Sequence, residues 1–137
     1  MAQQAQEASR RWTVLIVEDN ARLAEVHAMR LRLDGFIVTM VATAPEGLAE
    51  ALRSPPDVIF LDVWLQVGNG LDLLAELHRY APTRDVPTLI LSSDDDPELI
   101  RRAAKLGARE YLIKSVGPLS LISEAATRWA GKETRSA

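Results

Sequence analysis

The chain has 137 residues, 47% hydrophobic and 26% charged, with a net charge of −3 and no cysteine. This balance fits a single soluble domain with a sizeable core. It excludes disulfides and cysteine-ligated metals and offers no basic patch for nucleic acid or an anionic membrane. No apolar run approaches the roughly 18 residues that cross a bilayer, and Met1–Arg11 lacks the apolar stretch of a secretory signal. A cytoplasmic location, with no direct nucleic-acid or membrane contact, is the expectation.

Residues 1–11 read as a flexible N-terminal tail, 12–130 as one domain and 131–137 as a polar C-terminal tail. Thr13–Val17 is the first strand, ending in Glu18-Asp19. The spacing of Leu23, Val26, Arg30 and Leu33 predicts a helix over 20–34, closed by Gly35, with Asp19 as a cap. Phe36–Ala42 is the second strand. Thr43 and Glu46 carry the capping-box spacing for a second helix, which Ser54-Pro55-Pro56 breaks. Asp57–Val63 is the third strand and contains Asp62; Asn69–Tyr80 is the third helix, with Leu71, Leu74 and Leu77 inward. Val86–Ser93 is the fourth strand. Asp96-Pro97 starts a fourth helix, as N-cap and first helical residue, and Gly107 ends it. Glu110–Lys114 is the fifth strand and Pro118–Trp129 the last helix.

Four of these strands are short, continuous apolar runs rich in β-branched residues, as in a parallel sheet covered on both faces. Five alternating βα units with right-handed crossovers make a doubly wound, flavodoxin-like α/β fold. The strand order 2-1-3-4-5 suits five strands with a site between the first and third. Ligands bind outside the carboxyl ends of such strands. There the runs end in Glu18-Asp19, Asp62, Ser92 and Lys114. Three carboxylates, a hydroxyl and an ammonium gathered at one edge suit a divalent metal and a phosphoryl group. His27 and His78 fall on predicted helices far from that edge and read as surface residues.

With these residues in order, the chain resembles a receiver domain of the two-component response regulators, similar to the chemotaxis receiver, over about Thr13–Trp129. The resemblance implies that Asp62 is the phospho-acceptor and that Glu18 and Asp19 position Mg²⁺ (or Mn²⁺). Ser92 takes the switch hydroxyl position, Lys114 neutralises the phosphate, Tyr111 stands at the aromatic switch and Gly70 is the loop glycine. Asp19 and Asp62 would ligate directly, Glu18 through water, and the Trp64 backbone carbonyl would add an oxygen. The implied partners are a histidine kinase or histidine phosphotransfer protein, and either a downstream protein target or an output domain missing from this chain. A homodimer through helix 4, strand 5 and helix 5 is a further expectation. Arg101, Arg102 and Lys105 on that face are suited to an acidic partner. Such a domain would catalyse its own phosphorylation and dephosphorylation, without a separate turnover reaction.

Several positions depart from the family pattern. Glu18 replaces the commoner aspartate, and Ser92 the frequent threonine. Gln66 stands where a proline usually follows the acceptor by four residues, so that loop is expected to be more flexible. Ser115 follows Lys114 where a proline with a cis bond is common. A cis Lys114–Ser115 bond would cost about 2.5–4 kcal/mol, so a trans bond is expected. The indole of Trp64, two residues past Asp62, is expected to screen an acyl phosphate from water. Two other readings compete: an atypical receiver used purely as an interaction module, which the complete acid set and Lys114 oppose, and a haloacid-dehalogenase-like phosphatase. The latter places a second aspartate two residues after its nucleophile, where this chain has Trp64.

Overall fold

The computed structural model describes residues 11–131. The expected tails lie outside the described residues except for Arg11 and Gly131. Gly131 is buried, and a Cβ there would sit 2.5 Å from the Trp12 ring.

Ten elements alternate along the chain: β1 (Thr13–Val17), α1 (Ala21–Leu33), β2 (Ile37–Val41), α2 (Ala44–Arg53), β3 (Val58–Leu61), α3 (Gly70–Arg79), β4 (Thr88–Ser92), α4 (Pro97–Lys105), β5 (Tyr111–Ile113) and α5 (Ser120–Trp129). All strand pairs are parallel, in the order β2-β1-β3-β4-β5. The expected doubly wound topology is therefore the observed one. β1, β3 and β4 carry unbroken buried runs, whereas the edge strand β2 alternates, with Ile37 and Thr39 exposed around the buried Val38.

Two apolar clusters cover the sheet. One joins Val14, Ile16, Val58, Phe60 and Leu89 to Ala24, Ala28 and Leu31 of α1 and to Ile122, Ala125 and Ala126 of α5. The other joins Leu15, Val17, Ile59, Leu61 and Ile90 to α2, α3 and α4 through Ala51, Leu71, Leu74, Leu77, Leu99 and Ala103. Alternate residues of the same strands feed opposite faces, as the pleat requires.

The helix starts follow side-chain chemistry. Thr43 accepts the Glu46 N–H at 3.2 Å, and Asp96 accepts that of Glu98 at 3.1 Å. Asn69 lies outside α3 as its cap, accepting from Leu71 and Asp72. The cap of α1 is Asn20, whose side chain accepts the Leu23 N–H at 3.1 Å, and not Asp19. α5 starts two residues later than expected, because Pro118 and Leu119 form a tighter turn in which the Leu121 N–H bonds the Pro118 carbonyl. The inward stripe of α1 is also displaced. Ala24, His27, Ala28 and Leu31 are buried, while Leu33 is 79% exposed. Small alanines let this helix lie close to the sheet, which a search for large apolar residues does not detect.

Candidate functional site

Register brings the acids together. Val17 lies beside Leu61 across β1 and β3, so the next residues, Glu18-Asp19 and Asp62, meet at the carboxyl edge. Backbone bonds continue the ladder past the strands: Asp62 N–H to Val17 O at 3.1 Å, and Glu18 N–H to Val41 O at 3.0 Å. Carboxylate oxygens of Glu18, Asp19 and Asp62 lie within 4.8 Å of one another. On the other side, the Lys114 N–H donates to Ser92 O at 2.9 Å. This brings the lysine stem alongside β4 and its ammonium over the acids. Lys114 Nζ donates to Asp62 Oδ2 at 2.8 Å and also to Glu18 Oε1. The Lys114–Ser115 peptide is trans, as expected, and no described peptide bond is cis.

Each acid has its own anchor. Glu18 is buried, and its second oxygen takes the Asn20 N–H at 3.1 Å. Burial raises its pKa above the usual carboxylate value, outweighing the bonds from Lys114 and Asn20, and the negative charge of Asp62 adds to the rise. For Lys114 burial acts against the charged form, but the bonds to Asp62 and Glu18 prevail and its pKa lies above the ordinary lysine value. Three carboxylates facing one ammonium leave a local surplus of negative charge, which favours bound protons or cations. Asp62 Oδ1 accepts the Trp64 N–H at 3.3 Å, and Asp19 Oδ2 accepts the Gln66 N–H at 2.6 Å.

The loop after β3 wraps closely around Asp62. The Gly70 N–H bonds Val63 O at 2.8 Å, and a Cβ at Gly70 would come within 2.1 Å of the Asp62 carbonyl oxygen, so no larger side chain fits. Ala44 N–H to Val67 O, at 3.0 Å, ties the loop to α2. Residue 66 is not a proline and so retains an N–H, and that N–H binds Asp19.

Ser92 and Tyr111 meet at the next loop. Ser92 is fully buried, and its Oγ accepts the Asp94 N–H at 3.2 Å. The Tyr111 hydroxyl donates to Asp94 O at 2.5 Å, and burial leads the causes that raise its pKa. Trp64 is 56% exposed, yet its indole N–H donates to Asp94 Oδ2 at 2.8 Å. Asp94 thus joins the loops after β3 and β4 to the tyrosine of β5, a link across three segments that local sequence reasoning missed.

His27 contradicts its surface reading. It is 3% exposed, with Nδ1 lacking a hydrogen-bond partner among the described residues. Burial, with the Lys114 charge adding, lowers its pKa. It lines a pocket of about 230 Å³ with Lys114, Tyr111 and Ile122. His78 is half-buried and packs against Gly107. Arg101, Arg102 and Lys105 are exposed on α4, with Arg101 paired to Glu98.

The model of the response regulator receiver domain matches residues 14–126. The chain belongs to the response regulator receiver domain family. This receiver is 35% identical over 124 residues to the transcriptional regulatory protein DcuR of Escherichia coli, covering 88% of this chain and 51% of that protein. It is 33% identical over 111 residues to the phosphate regulon transcriptional regulatory protein PhoB of Klebsiella pneumoniae, covering 80% and 48%. The chain spans about half the length of these curated relatives. Among solved structures, it is similar to the receiver domain of a sensor histidine kinase from Pseudomonas aeruginosa, which has a magnesium ion coordinated in its active-site cleft. That likeness has a TM-score of 0.81 and 27% identity, covering 90% of this chain and all of the other. A CheY-like receiver from Methanospirillum hungatei shares the fold at a TM-score of 0.82 and 23% identity, covering 93% of this chain and 100% of that one. Among the described residues no helix is long and apolar enough to cross a membrane.

Proposed function

We propose that this receiver takes a phosphoryl group onto Asp62 from a histidine kinase or histidine phosphotransfer protein, in a step that depends on Mg²⁺ or Mn²⁺, and that the transfer resets the face around Tyr111. The observation that carries this reading is the position of Asp62, bonded to Lys114 at 2.8 Å and crowded by two further carboxylates. The donor set fits the ion, since all the side-chain ligands are hard oxygens. Glu18, Asp19 and Asp62 would hold it, with the Trp64 carbonyl as a further oxygen, and its charge would offset that of the phosphoryl group. The magnesium-bearing cleft of the Pseudomonas receiver supports the same assignment.

In the transfer, an Asp62 oxygen attacks phosphorus while the bond from phosphorus to the donor imidazole nitrogen breaks. The electron pair stays on that nitrogen, which recovers its proton requirement from solvent. Lys114 already bonds the attacking carboxylate and is placed to bond the phosphoryl oxygens as charge develops there. The Ser92 hydroxyl would donate to a phosphate oxygen and draw its loop toward Asp62. Because the Asp94 N–H is held by Ser92 and Asp94 also holds Tyr111 and Trp64, that movement would shift both loops and the exposed face of α4, β5 and α5. A local change in charge would thereby acquire a distant readout. The names of the longer relatives support an output in transcriptional regulation, through a further domain or a separate protein target. A homodimer across the α4–β5–α5 face is part of the same proposal.

Beryllofluoride with Mg²⁺ tests the reading. Amide resonances of Ser92, Asp94 and Tyr111 are expected to shift in the native chain and to stay in place in Asp62→Asn. Unchanged resonances in the native chain at saturating beryllofluoride would contradict it.

A further inference from the structure

The bond between the Gln66 N–H and Asp19 Oδ2, at 2.6 Å, differs in kind from the other anchors of the acid cluster. Glu18 and Asp62 are held by Lys114 and by N–H groups two residues further along their own segments, those of Asn20 and Trp64. Asp19 follows β1, but its anchor is a backbone donor in the loop after β3. The anchoring loop is itself braced at Val67 and Gly70. The donor exists only because residue 66 is not the proline usual at this position, as proline has no N–H.

We infer that Gln66 is a positioning residue for the cation site, acting through its backbone N–H and not its side chain. Gln66 is exposed and Asp19 half-buried, so without that donor the Asp19 carboxylate would turn more freely, and binding a cation would have to order it. The N–H occupies one lone pair of Oδ2 and leaves the remaining acceptor sites of the carboxylate for a cation. Groups that orient metal ligands in this way are commonly worth about 10–100-fold in affinity. Cation affinity and the conformation of the β3–α3 loop are thereby linked: whatever displaces the loop from Asp19 weakens the site. This inference rests on the cation reading of the acid cluster given above.

Mg²⁺ titration of the full chain, followed by calorimetry and by tryptophan fluorescence, separates the possibilities. Gln66→Ala keeps the N–H and is expected to bind Mg²⁺ within about twofold of the native chain. Gln66→Pro, and a semisynthetic chain with an ester in place of the residue 66 amide, both lack it and are expected to bind about tenfold more weakly. Urea unfolding without Mg²⁺ checks that each variant is folded, and the ester decides if the proline variant is not. Native-like affinity in the ester variant would overturn the inference. So would an equal loss in Gln66→Ala, which would assign the effect to the side chain. A native chain that binds no Mg²⁺ would overturn the cation reading itself, a distinguishable failure.

Discussion

Asp57 and Asp62 bracket the same strand, β3, and their surroundings differ completely. At the amino end, Asp57 Oδ2 accepts the Thr13 N–H at 2.8 Å and the Thr13 hydroxyl at 3.0 Å, while the Asp57 N–H returns a bond to the Thr13 carbonyl. One oxygen of that carboxylate thus ties β3 to β1 twice. At the carboxyl end, Asp62 meets two more acids and a lysine. Both are half-buried or buried aspartates one residue outside a strand. In a parallel sheet every strand delivers its next residue to the same edge, so the carboxyl edge crowds like charges that no single neighbour can satisfy. The amino edge leaves its aspartate one local partner. Chemistry is expected where the crowding is, and structural stabilisation where it is not.

Three substitutions sharpen or break that contrast. The largest effect is expected for Lys114→Ala, which removes the ammonium that pairs with the acid cluster. Phosphorylation by a small phosphodonor should slow by about 10²–10³-fold, measured by intact mass against time. A rate near the native one would show that the crowded edge does not depend on its lysine. Asp57→Ala should act in the opposite way: it should lower stability in urea by about 1–3 kcal/mol, the cost of leaving the Thr13 donors without partners, with phosphorylation rate unchanged. If it instead slowed phosphorylation while leaving stability intact, the assignment of the two ends would be reversed. The smallest effect is expected for Trp64→Ala, which strips the indole that Asp94 holds. Dephosphorylation should quicken a few-fold, and an unchanged or slower decay would remove any screening role for that ring.

Much of the molecule was legible in the sequence because its signals are local. Buried parallel strands announce themselves as continuous apolar runs, and polar residues just past them fall at one edge once the strand order is known. Thr43 and Asp96 cap helices as their spacing implies. What remained illegible depends on contacts between distant segments. His27 is polar yet faces the core, because α1 approaches the sheet through alanines on the same stripe. Asn20 caps α1, and Asp19 turns instead to an N–H of another loop. The contacts of Asp94 with Trp64 and Tyr111 join residues that no periodicity relates. Gln66 is the most instructive case. Read only as a missing proline, it gave no sign that its N–H makes a tie to Asp19.

The most direct test of the account is intact mass spectrometry of the native chain and Asp62→Asn after incubation with acetyl phosphate, with and without Mg²⁺. The account predicts one added phosphoryl group in the native chain, dependent on Mg²⁺, labile to hydroxylamine as an acyl phosphate must be, and absent from Asp62→Asn. Phosphorylation that persists in Asp62→Asn, or a native chain that stays unmodified at saturating donor and Mg²⁺, would contradict it.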